Sequence, residues 1–513
     1  MGFCARRLAV LVCLLAPSAV HAQLAPVGVP AGVLRVDLDG TFDIWDHRWR
    51  DGSREPLAAD LSSPALGSDL IPFLSDADVR IGRITGLSSY RLNLGALSAD
   101  AQAEKPRGFL GLALGITRKL TIFGRVPLVR VQVETHMVLD STTGDAGANP
   151  GASAQTTFFD QLDASLTSLG NRIAAGDFDG NPALKAQAQS TLTAATSLRD
   201  DLFGLLADPT TASPFVPIAT SAAGTALEAR VTGLQSTLAA DFGISGFTAA
   251  PALPAERVAT TDFINFLRDP AGPIATRPGG YKLTFRGDAE AGLALTLVDH
   301  WDRSQRPGGV RAAVEGLVRF PTGSVAPPDR LISLSTGDGQ TDIEVRLTTD
   351  LGAGKWGVRA EGMYNRQLAA NYLVRVAPPT EPFAGIDLLS VVRRDPGDIV
   401  SLALRPIFRL TPAFAIEGTA MHWSRGEDRV SYATEADSVP GVSASVVAQD
   451  TKVSATVLGI GVSFSSPGRF RPGGNGLPVD ASWSYERVVT TSGGITPDPN
   501  IMRARLRFYI DLF

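Results

Sequence analysis

Leu34-Arg35-Val36-Asp37-Leu38-Asp39-Gly40-Thr41-Phe42-Asp43-Ile44 alternates without a break. Leu34, Val36, Leu38, Gly40, Phe42 and Ile44 hold one parity, and Arg35, Asp37, Asp39, Thr41 and Asp43 hold the other. Successive side chains of a strand point to opposite faces, so this stretch has one apolar and one charged face. The dyad returns in segment after segment up to a terminal aromatic, Phe513. A barrel wall in a membrane demands this pattern, because its outside meets hydrocarbon and its inside meets water or a plug.

The start of the chain fits that destination. Arg6 and Arg7 precede an apolar centre from Leu8 to Leu15 and a small-residue site, Val20-His21-Ala22. Residues 1–22 therefore read as a signal peptide cleaved near Ala22. Val12 before Cys13 argues against a lipid anchor, and both cysteines, Cys4 and Cys13, lie in the leader. No thiol or disulfide chemistry is expected after cleavage. Removing Arg6 and Arg7 from 47 basic side chains leaves 45 against 52 acidic ones, a formal charge of −7. That mild acidity argues against a nucleic-acid partner. No run of about 20 apolar residues follows the leader, so membrane-spanning helices are excluded. A secreted sandwich or propeller competes poorly with strands this long joined by turns this short.

The fold class expected is all-β: a closed antiparallel transmembrane β-barrel of about 12 strands, with about 14 possible if Asn93 to Lys105 counts separately. Gly108 to Thr117 and Leu120 to Val133 form a hairpin around Arg118-Lys119. Tyr281 to Val298, Val310 to Phe320, a run from Thr341 and Lys355 to Val376 continue the pattern. Asp398–Leu410, Ala413–Trp423, Thr451–Phe464, Ala481–Val488 and Ile501–Phe513 complete it. Short links at Arg118-Lys119, Gly352–Gly354 and Thr411-Pro412 are expected in the periplasm, with the Gly- and Pro-rich 466–479 a longer one there. Long loops at 47–88, 134–280, 323–340, 377–397, 425–450 and 489–500 then lie outside. The organisation expected is signal peptide 1–22, first strands and outer loop 23–133, a mainly helical extracellular insertion 134–280, and the remaining strands 281–513. Within the insertion, Phe158, Leu162, Leu166, Leu169 and Ile173 repeat at helical spacing. Ala183 to Leu206 and the set Leu227, Val231, Leu234 and Leu238 do likewise, so these stripes pack together as a lid or plug.

Lumen parity collects the charges. Candidates lining the lumen are Arg35, Asp37, Asp39, Asp43, Asp288, Glu290, Arg311, Glu315, Arg319, Asp342, Glu344, Arg346, Arg359, Glu361, Glu486, Arg503, Arg505 and Arg507. They read either as channel electrostatics or as an ion-pair network filling a narrow interior. The ladder Arg503, Arg505, Arg507 is expected to neutralise Asp37, Asp39 and Asp43 where the first and last strands close. His422 and Ser424 share a face, as a lipid-facing hydrolase would need, but nothing orients the histidine and no oxyanion site is visible. Asp177-Phe-Asp179-Gly180-Asn181 misses the glycine and glutamate spacing of a calcium loop and reads as an interhelical turn. No catalytic residue, metal or cofactor is expected.

Gly115-Ile-Thr-Arg-Lys-Leu-Thr-Ile-Phe-Gly-Arg-Val-Pro-Leu-Val129 resembles the hairpin of outer-membrane transporter barrels related to phenol degradation (the MetA pathway). Gly287-Asp-Ala-Glu-Ala-Gly-Leu293, Val318-Arg-Phe-Pro-Thr-Gly323, Gly337-Asp-Gly-Gln-Thr-Asp342 and Trp356-Gly-Val358 are similar to their later motifs, in the same order. These barrels are in turn similar to FadL-type transporters, which admit hydrophobic molecules and release them sideways. The resemblance implies an outer-membrane channel for hydrophobic or aromatic small molecules. It does not cover 134–280, and only Gln23 to Gly32 stand where the FadL type has a long hatch. The partners implied are outer-membrane lipid and lipopolysaccharide, a small-molecule solute, and the barrel-assembly machinery through the strand ending in Phe513. A sealed structural or adhesin-like barrel is the competing reading, and a lipid-facing hydrolase the weaker one.

Overall fold

A computed structural model describes residues 27–302, 308–411, 413–466 and 478–512. The leader with its cleavage site, Phe513 and most of the 466–479 link lie outside the described residues. The main sheet has 14 strands. In chain order they are β1 (Val33–Trp45), β2 (Ala96–Glu104), β3 (Arg107–Gly115), β4 (Leu120–Asp140) and β5 (Tyr281–Arg286). Next come β6 (Glu290–Asp302), β7 (Gly308–Arg319), β8 (Asp342–Ala353), β9 (Trp356–Gln367) and β10 (Ile399–Arg409). The last are β11 (Phe414–Arg425), β12 (Val453–Ser466), β13 (Val479–Ser492) and β14 (Asn500–Asp511).

Twelve of these close an antiparallel ring, with two left outside it. Closure runs from Val33↔Asp511 to Ile44↔Asn500 between β1 and β14, and from Leu34↔Leu114 to Thr41↔Arg107 between β1 and β3. Without closure, an edge would leave backbone groups unpaired in hydrocarbon. The two extra strands are continuations. β2 and β3 both pair with the long β4, from Ala96↔Asp140 down to Gly115↔Thr121. Pro106 separates them because it has no N–H to give, yet its carbonyl accepts Arg130 N–H at 3.0 Å. Asn93 to Lys105 is thus the protruding part of one strand. β5 and β6, expected as the single strand Tyr281–Val298, are parted by a bulge. Gly287, Asp288 and Ala289 face only Val126 and Pro127 of β4. β4 itself continues to Asp140, beyond the Val133 where the sequence pattern ends it.

Leu293, Leu295, Leu297, Ile343, Val345, Leu347, Leu402, Leu404, Ile460 and Val462 are exposed around the outside. In water such a belt would be costly; in a bilayer it is the wall. Ring pairs Trp356–Phe408 and Phe414–Phe464, with centroids 4.6 Å and 5.1 Å apart, girdle the end that carries the chain termini. That end has the short turns, such as Arg118-Lys119, and the opposite end has the long loops. No described helix is long and apolar enough to cross a membrane.

At the loop end stands a helical cap of α1 (Ser75–Thr85), α2 (Thr156–Ala175), α3 (Pro182–Leu206), α4 (Ala222–Phe242) and α5 (Thr260–Arg268). The apolar stripes of α2, α3 and α4 bury Phe158, Leu162, Leu202 and Leu227 in one core. Local chemistry sets the helix ends. Asn181 accepts Leu184 N–H and Ser221 accepts Gly224 N–H as N-caps, while Gly176 (φ 79) and Gly243 (φ 65) close α2 and α4 in the left-handed region. The first long loop joins the same core through Leu66, Ile71, Leu74 and Ile81.

The charged lumen as candidate functional site

β1 fixes the geometry: Arg35, Asp37, Asp39 and Asp43 point inward, while Leu38 and Phe42 are exposed outside. Apart from Asp288, which lies between β5 and β6, the remaining candidates fall on the inward parity of their own strands, and most are paired. Arg507 meets Asp37 at 3.0 Å and Arg505 meets Asp39 at 2.7 Å, as strand closure leads one to expect. The third pairing differs. The register puts Arg503 opposite Thr41, so it binds Glu486 at 3.2 Å, and Asp43 takes Arg107 at 2.5 Å. Arg35 contacts Asp37 at 3.0 Å.

On the other side of the lumen Arg319 reaches Glu290 at 3.0 Å, Asp342 at 2.6 Å and Glu344 at 3.7 Å. Arg125 also binds Glu290, and Arg346 binds Glu344 at 2.5 Å, opposite Glu315 in the register. Arg311 and Arg359 share Asp350, at 2.9 Å and 2.7 Å. Glu361 takes Arg405 at 3.3 Å. Sequence reasoning passed over Arg107, Arg125, Asp350 and Arg405. Each was findable from alternation within its own strand: Asp350 is in phase with Asp342 and Arg346, Arg405 alternates with Leu402 and Leu404, Arg107 with Leu110 and Leu112, and Arg125 with Val126 and Leu128.

The lumen is not packed solid. The side chains of Arg503 and Arg505 remain 47% and 43% exposed although they face inward. Room for water therefore lies beside the middle of the β14 face. The termini end is much tighter. Residues 27–31 tuck inside the ring: Val29 N–H donates to Thr121 Oγ1 at 2.9 Å and Arg35 Nη1 to Val27 O at 3.1 Å. From the opposite side Trp301 packs on Ile407 and Ala415, with the Arg311 and Arg409 guanidinium carbons 4.6 Å and 5.8 Å from its ring centroid. Alternation alone hides this residue. A bulge between Thr296 and Val298 shifts the phase and turns Trp301 inward. A cavity of about 500 Å³ lies between, lined by Val27, Val29, Thr296, Asp299, Arg311 and Asp350.

At the loop end, Asp288 sits in the wall bulge and accepts Gly323 N–H at 2.8 Å and Asp338 N–H at 2.7 Å. Thr322 and Phe320 add bonds to Gly287 O and Ala289 O, so loop 320–341 closes the interruption it docks on. Tyr372 secures that loop, donating to Asp338 O or Gln340 Oε1, and burial pushes its phenol up to about 12. His422 and Ser424 lie on the exposed outer face, where His422 Nδ1 contacts Thr456 Oγ1 at 3.1 Å. Asp177 and Asp179 bind Arg172 and Lys185 in the turn between α2 and α3.

No protein-family model and no curated protein matches this chain. Solved structures similar to it are outer-membrane barrels. One is an outer membrane channel from Pseudomonas putida F1, 11% identical, covering 95% of this chain and 99% of that one at a TM-score of 0.41. A Pseudomonas aeruginosa FadL homologue is 8% identical, with 94% and 90% covered and a TM-score of 0.27. The P. putida toluene transporter TodX is 11% identical, with 94% and 90% covered and a TM-score of 0.25.

Proposed function

We propose that the chain is an outer-membrane channel for small hydrophobic or aromatic molecules, with its termini and short turns in the periplasm and its helical cap outside. The carrying observation is the open space beside Arg503 and Arg505, which stay accessible inside the ring although each is ion-paired, to Glu486 and to Asp39. A solidly packed lumen would bury those guanidiniums. The near balance of lumen charges leaves no strong field of one sign to select an ion, which suits weakly charged or neutral solutes. The apolar class of solute rests on the motif order in the sequence. Bulge 287–289 is the wall's interruption, and a sideways exit there requires loop 320–341 to leave it.

The tight termini end favours a second reading, a barrel closed at rest. Val29 and Trp301, 3% and 7% exposed, narrow it from opposite sides. Single-channel recording and liposome uptake of toluene, a fatty acid and a sugar separate the two. Conductance with uptake of the apolar solutes supports the channel. Silence, with no solute taken up by folded protein, refutes it.

A further inference from the structure

The outer face of β4 changes character at one point. Ile122, Val126 and Leu128 are exposed apolar residues on its outward parity, and the next three on that face are Arg130, Gln132 and Glu134. The apolar belt therefore ends between Leu128 and Arg130, on the loop side of the barrel. β5 crosses this line. It pairs Leu128↔Arg286, Arg130↔Thr284 and Gln132↔Lys282, and Lys282, Thr284 and Arg286 are all exposed. Arg130 thus faces Thr284 directly, with Lys282 and Arg286 at its two diagonals. Diagonal neighbours in an antiparallel pair stand about 7–8 Å apart, within reach of one another for side chains of this length. Three cations surround one small hydroxyl.

Their lack of carboxylate partners sets them apart from other cations on the outward rim. Arg366 is held by Asp395 and Asp398, and Arg487 by Asp498. Among the described residues Arg130, Lys282 and Arg286 make no ion pair. Arg130 Nη2 donates to the neutral Gln132 Oε1, and its Nε is buried with no partner. Arg286 Nε donates to Thr322 O and its guanidinium lies 5.5 Å from the Phe285 ring centroid. Of the acids on the same face, Glu104 lies opposite Gln132, level with Lys282 and diagonal to Arg130, and is engaged by Gln102, while Glu134 stands one step higher and is engaged by Gln132. A phosphate at the height of the lipid headgroups, on the β5 side of Arg130 away from Glu104, would meet three donors, and arginine forks suit phosphate oxygens.

We infer that Arg130, Lys282 and Arg286 form a binding site for the phosphate of an outer-leaflet glycolipid, held with its acyl chains against Val126 and Leu128. The inference rests on the orientation proposed above but not on transport through the lumen. Its test is native mass spectrometry of the full-length protein in detergent. The probes are bis-phosphorylated lipid A, the same lipid stripped of phosphate, and inorganic phosphate as competitor. The variants are Arg130→Gln, Lys282→Gln and Arg286→Gln, singly and together, with Arg487→Gln as the rim control and heat-modifiable mobility as the check of folding. Each lost cation near a charged headgroup layer should weaken binding about fivefold, and all three about 100-fold. Arg487→Gln should bind as the parent does. Equal binding by the triple variant, or by lipid A without phosphate, overturns the site. Displacement of the lipid by an equal concentration of inorganic phosphate reassigns it to free anions and overturns the glycolipid. Conductance recorded in parallel keeps the two proposals apart: a silent barrel that binds lipid A through these residues defeats only the channel.

Discussion

Replacing Asp350 with Asn tests whether the lumen behaves as a protein interior or as bulk water. The carboxylate is 4% exposed and takes Arg311 Nη2 at 2.9 Å, Arg359 Nε at 2.7 Å and Arg359 Nη2 at 3.0 Å. It thus joins three strands, β7, β8 and β9. Asparagine keeps the shape, but it offers a single acceptor oxygen and turns an amide toward one guanidinium. Removing one partner of a buried ion pair costs about 3–5 kcal/mol, most of it from the charge left behind. Because the amide oxygen still accepts from one arginine, the loss should lie near the lower end, about 3 kcal/mol. Urea unfolding of the barrel in lipid vesicles, followed by tryptophan fluorescence, reads this directly. The pair Asp350→Asn with Arg311→Met should recover part of the loss, since it removes the stranded charge together with its partner. A loss below about 1 kcal/mol, the value of an exposed surface pair, would refute the reasoning. It would mean that water screens this cluster as it would outside.

Three further outcomes follow from the same geometry. Leu202→Ala in the cap core, where the residue is fully buried, should cost about 2–5 kcal/mol in the cap. Hydrogen exchange should then rise in α2 to α4 and leave the barrel strands unchanged. Trp301→Ala should raise single-channel conductance, and an unchanged value would show that Trp301 does not limit the termini end. Glu55, outside the barrel, is raised by burial but more strongly lowered by hydrogen bonds from Arg50 and Arg48, ending below the ordinary 4.5. A depressed carboxyl stabilises the fold above its ordinary value and loses that contribution as pH falls through the folded one. Protection of the amides in 47–60, taken relative to their intrinsic exchange rates, should therefore fall as pH drops from about 6 to about 3, and Glu55→Gln should flatten that response.

Most of the barrel was legible because a period of two leaves little choice. Arg35 to Asp43 and Arg503 to Arg507 declared both their strands and their inward face. Register was not legible, since the pattern repeats every two residues along each strand. That is why Asp43 was expected beside Arg503 and instead binds Arg107, while Arg503 turns to Glu486. Trp301 and the β5–β6 break were hidden by bulges, which local alternation cannot locate. α1 was hidden for another reason. Its stripe is thin, only Ala77, Ile81 and Ile84, and a buried Asp78 interrupts it, accepting Leu92 N–H at 2.7 Å and the Ser68 hydroxyl at 2.6 Å.

That helix changes how the cap relates to the barrel. An insertion between two neighbouring strands could be removed as a unit if it buried only itself. Here Leu66, Ile71, Leu74 and Ile81 of the first loop, Leu97 of β2 and Leu139 of β4 share the core of α2, α3 and α4. Cutting out 152–250 would strip that face and leave its leucines and isoleucines in water. The cap also reaches the other loops. Phe263 packs on Phe383 with ring centroids 5.7 Å apart, and Arg375 donates to both Ala275 O and Ala384 O. From there a small sheet of 370–375, 389–395 and 429–432 leads on, and Asp428 ties Arg394 to Arg425. Asp450 binds Arg50, which returns the circuit to the first loop. The long loops are thus a ring of contacts seated on the barrel's loop end. Any widening of that mouth has to break one of these links, and the Arg50–Asp450 pair, the most open to water of the ion pairs named, is weaker than the aromatic core of the cap.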